Sequence, residues 1–374
     1  MKPSEELKRR DLPPLPDSRE EIKEILQREE YGRLPDYEYT WSVNVTRPAV
    51  RTRLACGNVT VSVAEMTVNV NGMSHTFPLE RILHNDGKKR PLVVLMNFHD
   101  IIGSNFFPLE EMSEYEADFL AFVYKDVTSD DGDFTTGLAP ALLAPEGREA
   151  PEACGKIAMW AWAAMRVLDY GLTLPGTDPA NVAIAGHSRL GKTALFTALM
   201  DERFRFCFSN AAGCSGDSLG RGNTGHGRTP ESRDRGELID DITRRFPYWF
   251  CANYKKYAAK NYPDDFDQHF LAAGIAPRCV MIGSCDLDLW ADPVSQQLCA
   301  MAAGKAWEEL GLAGYIGEDR FLDAGEGCPD GNVGYFKIHS LHMFSRHSWK
   351  WYMTFLENHK VESRPDGDGT TESR

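Results

Sequence analysis

The chain has 374 residues, 42% of them apolar and 26% charged, with a formal net charge of −14. This is the composition of a folded globular protein with a large core, and the acid excess argues against nucleic acid or an anionic membrane surface as a partner. No run of 18 apolar residues suggests a membrane span, and the nine cysteines form no CxxC pair, which argues against a disulfide framework or a zinc ribbon.

Residues 1–18 are polar and proline-rich and read as an extended arm; residues 19–30 suit a short charged helix, broken at Tyr31-Gly32-Arg33-Leu34-Pro35. The first thirty residues lack the apolar stretch of a signal peptide, so a cytoplasmic, reducing setting is expected unless a leader has been removed. From Tyr39 to Leu79 the pattern alternates. Thr40, Ser42 and Asn44 oppose Trp41, Val43 and Val45, and the alternation continues through Val59-Val61-Val63 and Met66-Val68-Val70 to a hairpin signal at Asn71-Gly72. This predicts an antiparallel lead-in.

Beyond Asn85-Asp86-Gly87 the pattern changes. Pro91–Asn97 and Phe119–Tyr124 are near-continuous apolar runs, as in strands buried on both faces. Ile157, Trp160, Ala161, Ala164 and Leu168 recur at helical spacing. Further strands are expected at 181–186, 204–210, 279–284 and 335–340, with helices at 295–310 and about 346–358. Alternating strands and helices predict a three-layer αβα sandwich around a mostly parallel central sheet, with function at the carboxyl ends of the strands. We expect residues 1–374 to form one domain, with a long Gly- and charge-rich loop at 212–237 and a disordered polar tail at 361–374. Asp366-Gly367-Asp368-Gly369 in that tail faintly resembles a calcium loop but lacks the closing Glu.

The chain is organised around Asn181–Lys192, which reads as a buried strand, a sharp turn with Ser188 at its tip, and the start of a helix from Leu190 to Met200. That is the setting of a nucleophile elbow, although the second glycine, Gly191, comes one residue later than in Gly-x-Ser-x-Gly. Gly186 and Gly191 leave room for the turn, and the helix would aim its first amides at a developing negative charge. The alternative reading of Ser188 is a helix cap. A serine nucleophile needs a base, and the base needs an orienting acid. Asp286, Asp288 and Asp292 follow the strand at 279–284, and Asp292 before Pro293 also suits an N-cap. His339, His342 and His347 lie past the last strand; as a zinc trio they would lack support from a cysteine or acid cluster.

Gly186-His187-Ser188-Arg189-Leu190-Gly191-Lys192 resembles the Gly-x-Ser-Arg-x-Gly-Lys signature of glucuronoyl esterases, carbohydrate esterase family fifteen. Trp160-Ala161-Trp162, Phe246–Cys251, Phe266–His269, Ile275–Arg278 and Asp288–Pro293 also resemble bacterial members, so the likeness runs from about Tyr31 to Leu356. The resemblance implies an α/β-hydrolase fold that needs no cofactor or metal. It implies Ser188 as nucleophile, and His342, seven residues before Trp349, as base. Asp288 would be the acid, with Asp286 as fallback. Arg189 would serve the oxyanion, Lys192 would bind sugar hydroxyls and Trp290 would line the uronate pocket. The family's other acid position, 23 residues past the serine, is Ala211 here, and an insertion falls around Gly222–Arg233. Glu237 resembles a residue near the pocket but receives no role. The implied activity is hydrolysis of (4-O-methyl-)glucuronic acid esters in glucuronoxylan–lignin links, with a small-molecule or oligosaccharide ester as partner. The alternatives are a carbohydrate acetyl esterase, such as an acetyl xylan esterase, and a non-catalytic carbohydrate-binding relative.

Overall fold

The computed structural model describes residues 2–51, 57–101, 104–224 and 235–362. Its strands are β1 (Tyr39–Arg51), β2 (Val59–Val70), β3 (Met73–His84), β4 (Arg90–Asn97), β5 (Asp118–Val123), β6 (Thr177–His187), β7 (Phe206–Asn210), β8 (Cys279–Cys285), β9 (Gly327–Cys328) and β10 (Val333–Ile338). They form one sheet in the order β1-β2-β3-β5-β4-β6-β7-β8-β10-β9. Strands β5, β4, β6, β7, β8 and β10 run parallel, whereas β1, β2 and β3 form the expected antiparallel lead-in and β9 caps the far edge antiparallel to β10.

The side-chain period of two explains the layers. Leu92, Val94 and Met96 of β4 enter the core shared with helices Lys156–Gly171 and Arg189–Met200. Val93 and Leu95 enter the opposite core, with Trp349, Tyr352 and Phe355 of the closing helix Arg346–His359. A strand covered on both sides has no polar face to show, hence the unbroken apolar run. The outer strand β1 is different: Thr40, Ser42 and Asn44 are exposed, Trp41 and Val43 are half-buried, and two register shifts interrupt its pairing with β2. Such irregularities discourage edge-to-edge pairing. At the β2–β3 hairpin Asn71 and Gly72 have φ of 49° and 72°, the left-handed pair that a two-residue turn between Val70 and Met73 requires.

Some expectations need correction. The arm at 1–18 contains a helix, Pro3–Arg10, with Glu5 and Glu6 in its first turn and Lys8, Arg9 and Arg10 in its last. This charge order suits the helix dipole. The helix docks through buried Arg10, which donates to the Arg221 carbonyl and to Ser295 Oγ. With so few apolar residues it left no periodic signal. The helix expected at 295–310 is two, Pro293–Ala303 and Lys305–Glu309, separated at Gly304. The calcium-loop resemblance at 366–369, almost all of the 361–374 tail and most of the Gly222–Arg233 insertion lie outside the described residues. Among the described residues no helix is long and apolar enough to cross a membrane, and the eight described cysteines are free thiols.

Candidate active site

Strand β6 ends at His187, and the helix Arg189–Met200 starts two residues later. Ser188 is the hinge between them, with φ 58° and ψ −127°. A non-glycine residue held there stores strain of about 1–3 kcal/mol. The Ser188 amide donates to the Asn210 carbonyl at 2.8 Å, and the Ser188 carbonyl accepts from the Gly191 amide at 2.8 Å. The Ser188 side chain makes no capping bond to its helix, so the helix-cap reading does not describe it. Gly186 is required by close approach: a Cβ there would lie 2.0 Å from the Leu190 carbonyl oxygen. Gly191 answers a separate need, since its Cβ would stand 3.0 Å from Ala212 Cβ on the β7 loop. The displaced second glycine thus seats the helix against that loop.

The loops after β8 and β10 bring the acid and the histidine together. His342 Nδ1 and Asp288 Oδ2 are 2.6 Å apart; Asp288 is buried, and the His342 side chain is 44% exposed. This bond leaves Nε2 as the imidazole nitrogen not held by Asp288. Asp286 instead faces His339 Nδ1 at 2.8 Å and accepts from the Ser340 amide at 3.1 Å. Asp292 caps the helix Pro293–Ala303, accepting from the Ser295 amide and hydroxyl. His347 sits exposed in the first turn of the closing helix. The three histidines therefore have separate surroundings, and no metal-binding cluster of three His, Cys, Asp or Glu occurs among the described residues.

Ser188, Asp288 and His342 line one cavity of about 590 Å³, together with Arg189, Lys192 and Trp290. Lys192 is 1% exposed, which excludes a solvated lysine; its ammonium donates to the Ala212 and Cys214 carbonyls and lies 3.8 Å from Glu237 Oε2. Burial pushes the Glu237 carboxyl above its usual pKa, with Lys192 pulling the other way. Trp290 is a half-buried wall with the guanidinium groups of Arg235 and Arg245 about 5 Å from its ring. Arg189 pairs with Asp130 and has its guanidinium carbon 4.7 Å from the Trp249 ring centroid.

The chain is similar to several known proteins. A family model described as glucuronyl esterase of fungi matches residues 146–311. A carbohydrate esterase, MZ0003, from an unknown prokaryotic organism is 36% identical over 211 residues, which cover 55% of this chain and 44% of that protein. The 4-O-methyl-glucuronoyl methylesterase of Podospora anserina is 25% identical over 79% of this chain and 56% of its own length. The chain thus spans about half the length of the curated relatives it matches. The solved glucuronoyl esterase from Solibacter usitatus superposes with a TM-score of 0.79 at 25% identity, covering 91% of this chain and 92% of that one. The chain is thus similar to glucuronoyl esterases in sequence and in structure. Its fold is the α/β-hydrolase fold of those relatives.

Ala211, which the resemblance sets at the other acid position of glucuronoyl esterases, is buried, has φ 47° and donates its amide to the Gly283 carbonyl at 2.7 Å. Sequence reasoning passed over Asp130. Its carboxylate accepts from Arg189, from Tyr124 Oη at 2.7 Å and from Trp249 Nε1 at 2.8 Å, and its carbonyl accepts from Tyr248 Oη at 2.8 Å. In Ser129-Asp130-Asp131-Gly132-Asp133 it looks like one more solvated acid, and its partners come from three separate segments, so no local signal marks it.

Proposed function

We propose that this chain is a serine carboxylic-ester hydrolase acting on esters of (4-O-methyl-)glucuronic acid. The observation that carries the reading is the 2.6 Å Asp288–His342 hydrogen bond in the cavity that the elbow residue Ser188 also lines. Asp288 holds the His342 tautomer, so that Nε2 takes the Ser188 proton as the hydroxyl attacks the ester carbonyl. The Arg189 amide, first after the nucleophile, and its guanidinium stabilise the oxyanion. His342 returns the proton to the departing alcohol, and water then hydrolyses the acyl-enzyme. Lys192 and Trp290 serve the uronate ring as a buried cation and a flat apolar wall. The named activity of the Podospora anserina relative supports this substrate class, and the placement of the ten strands of the described residues in one sheet supports reading residues 1–374 as one hydrolase domain. The free thiols are compatible with the cytoplasmic expectation.

Methyl glucuronate hydrolysis by the wild-type chain and by Ser188→Ala tests the proposal: equal rates would end it. A second reading, deacetylation of a carbohydrate by the same three residues, is favoured by one observation, the replacement of the family acid by Ala211. Side-by-side assay of acetyl and glucuronoyl esters separates the two.

A further inference from the structure

The proposed reaction converts a neutral ester into a carboxylate anion, so a pocket with an uncompensated cation would bind its product better than its substrate. Arg189 is the cation beside Ser188 in sequence and in the cavity, with a side chain 23% exposed. Its guanidinium is not free to act as a full positive charge. Asp130, whose side chain is only 6% exposed, forms an ion pair with it. Two neutral donors, Tyr124 Oη and Trp249 Nε1, hold that carboxylate in place. Trp249, Phe246 and Phe98 lie around the guanidinium with ring centroids 4.7, 5.4 and 5.7 Å from its central carbon. The aromatic surround and the two extra donors make this a built pair rather than a surface contact. Of the other cations lining the cavity, buried Lys192 has the Glu237 carboxylate 3.8 Å away, and Arg245 is exposed and therefore screened by water.

We infer that Asp130 is a positioning residue that offsets the charge of Arg189, so that the site favours a neutral uronic ester over the free uronate it produces. This rests on the proposed function above. The oxyanion still benefits, because the guanidinium N–H donors remain fixed near it while the net charge offered to a carboxylate falls. An ion pair with a released uronate in this half-enclosed site, by contrast, would be a charge-assisted interaction and would slow product departure.

The test compares Asp130→Asn with the wild-type chain, using methyl glucuronate as substrate and glucuronate as inhibitor. The expected result is a rise of about tenfold in the ratio of ester KM to glucuronate Ki, corresponding to one gained charge-assisted contact. Tyr124→Phe removes a hydrogen bond to the same carboxylate without changing any charge, and should leave that ratio unaltered. A merely structural role would move both variants alike. An unchanged ratio in Asp130→Asn would overturn the inference while leaving the esterase reading intact. Loss of all uronic-ester hydrolysis by the wild-type chain would instead sink the esterase reading; glucuronate affinity measured by calorimetry on Ser188→Ala, with and without Asp130→Asn, would still decide the charge offset. Should Asp130→Asn fail to fold, the salt dependence of glucuronate binding to the wild-type chain decides. An offset pocket should lose less than about twofold in affinity between low and high salt, and a steep loss would refute the offset.

Discussion

The His187 and His342 rings lie with centroids 4.3 Å apart and planes tilted by 40°. His187 is 2% exposed, and burial, reinforced by His342, pushes its pKa well below the usual histidine value. A neutral imidazole therefore backs the proposed base. Asn210 ties the two together: its amide nitrogen is 2.9 Å from His187 Nδ1 and donates at 2.9 Å to the carbonyl of Met343, next to His342. Removing the ring in His187→Ala should lower kcat by roughly 10- to 100-fold with little change in KM, since it loosens the base rather than the sugar pocket. Steady-state kinetics on methyl glucuronate checks this, and a variant with wild-type kcat would refute it.

Asp286 and Asp288 differ in partner, and their variants should differ in kind. Asp288→Asn should cost about 10³–10⁴ in kcat by disturbing the His342 tautomer. Asp286→Asn, whose histidine is exposed His339, should stay within about threefold. The rate of Ser188 labelling by a fluorophosphonate should follow the same order. Equal losses in the two variants would show that the hydrogen-bond pattern misidentifies the acid.

Gly186→Ala should be severely destabilising, by more than about 3 kcal/mol, because the new methyl meets the Leu190 carbonyl and neither backbone can yield without breaking the elbow. Gly191→Ala, whose nearest neighbour is the Ala212 methyl at 3.0 Å, should cost less. Urea midpoints of the two variants give the comparison.

Glu30 is fully buried, with both carboxyl oxygens 3.1 Å from Gln268 Nε2, and burial raises its pKa to about 8. Between the unfolded value near 4.5 and that folded value the native state holds a proton that the unfolded state has lost. This contribution to stability is thus full below pH 4.5 and falls as pH rises through 8. Glu30→Gln keeps a neutral amide at all pH. The wild-type chain should lose stability relative to it by roughly 1 kcal/mol per pH unit across that window. Denaturant titrations at pH 5 and pH 8 measure the difference, and parallel stabilities at the two values would contradict it.

How much of this was legible beforehand follows from the range of each cause. Strand β4 and the helix Lys156–Gly171 were readable because burial on all sides leaves a continuous or 3.6-residue apolar pattern in neighbouring positions. The elbow was readable because the close approach at Gly186 is a steric demand within five residues. Asp292 was readable as a cap because its partner Ser295 is three residues away. The choice of Asp288 over Asp286 depends on how two loops, 54 residues apart in sequence, pass each other. The same holds for Asp130, which meets Arg189 across 59 residues and Trp249 across 119. Local sterics and periodicity act between neighbours and leave their mark on the chain. Charge pairing inside a pocket acts between segments that only the folded sheet brings together, so tertiary structure alone decided which acids face which cations.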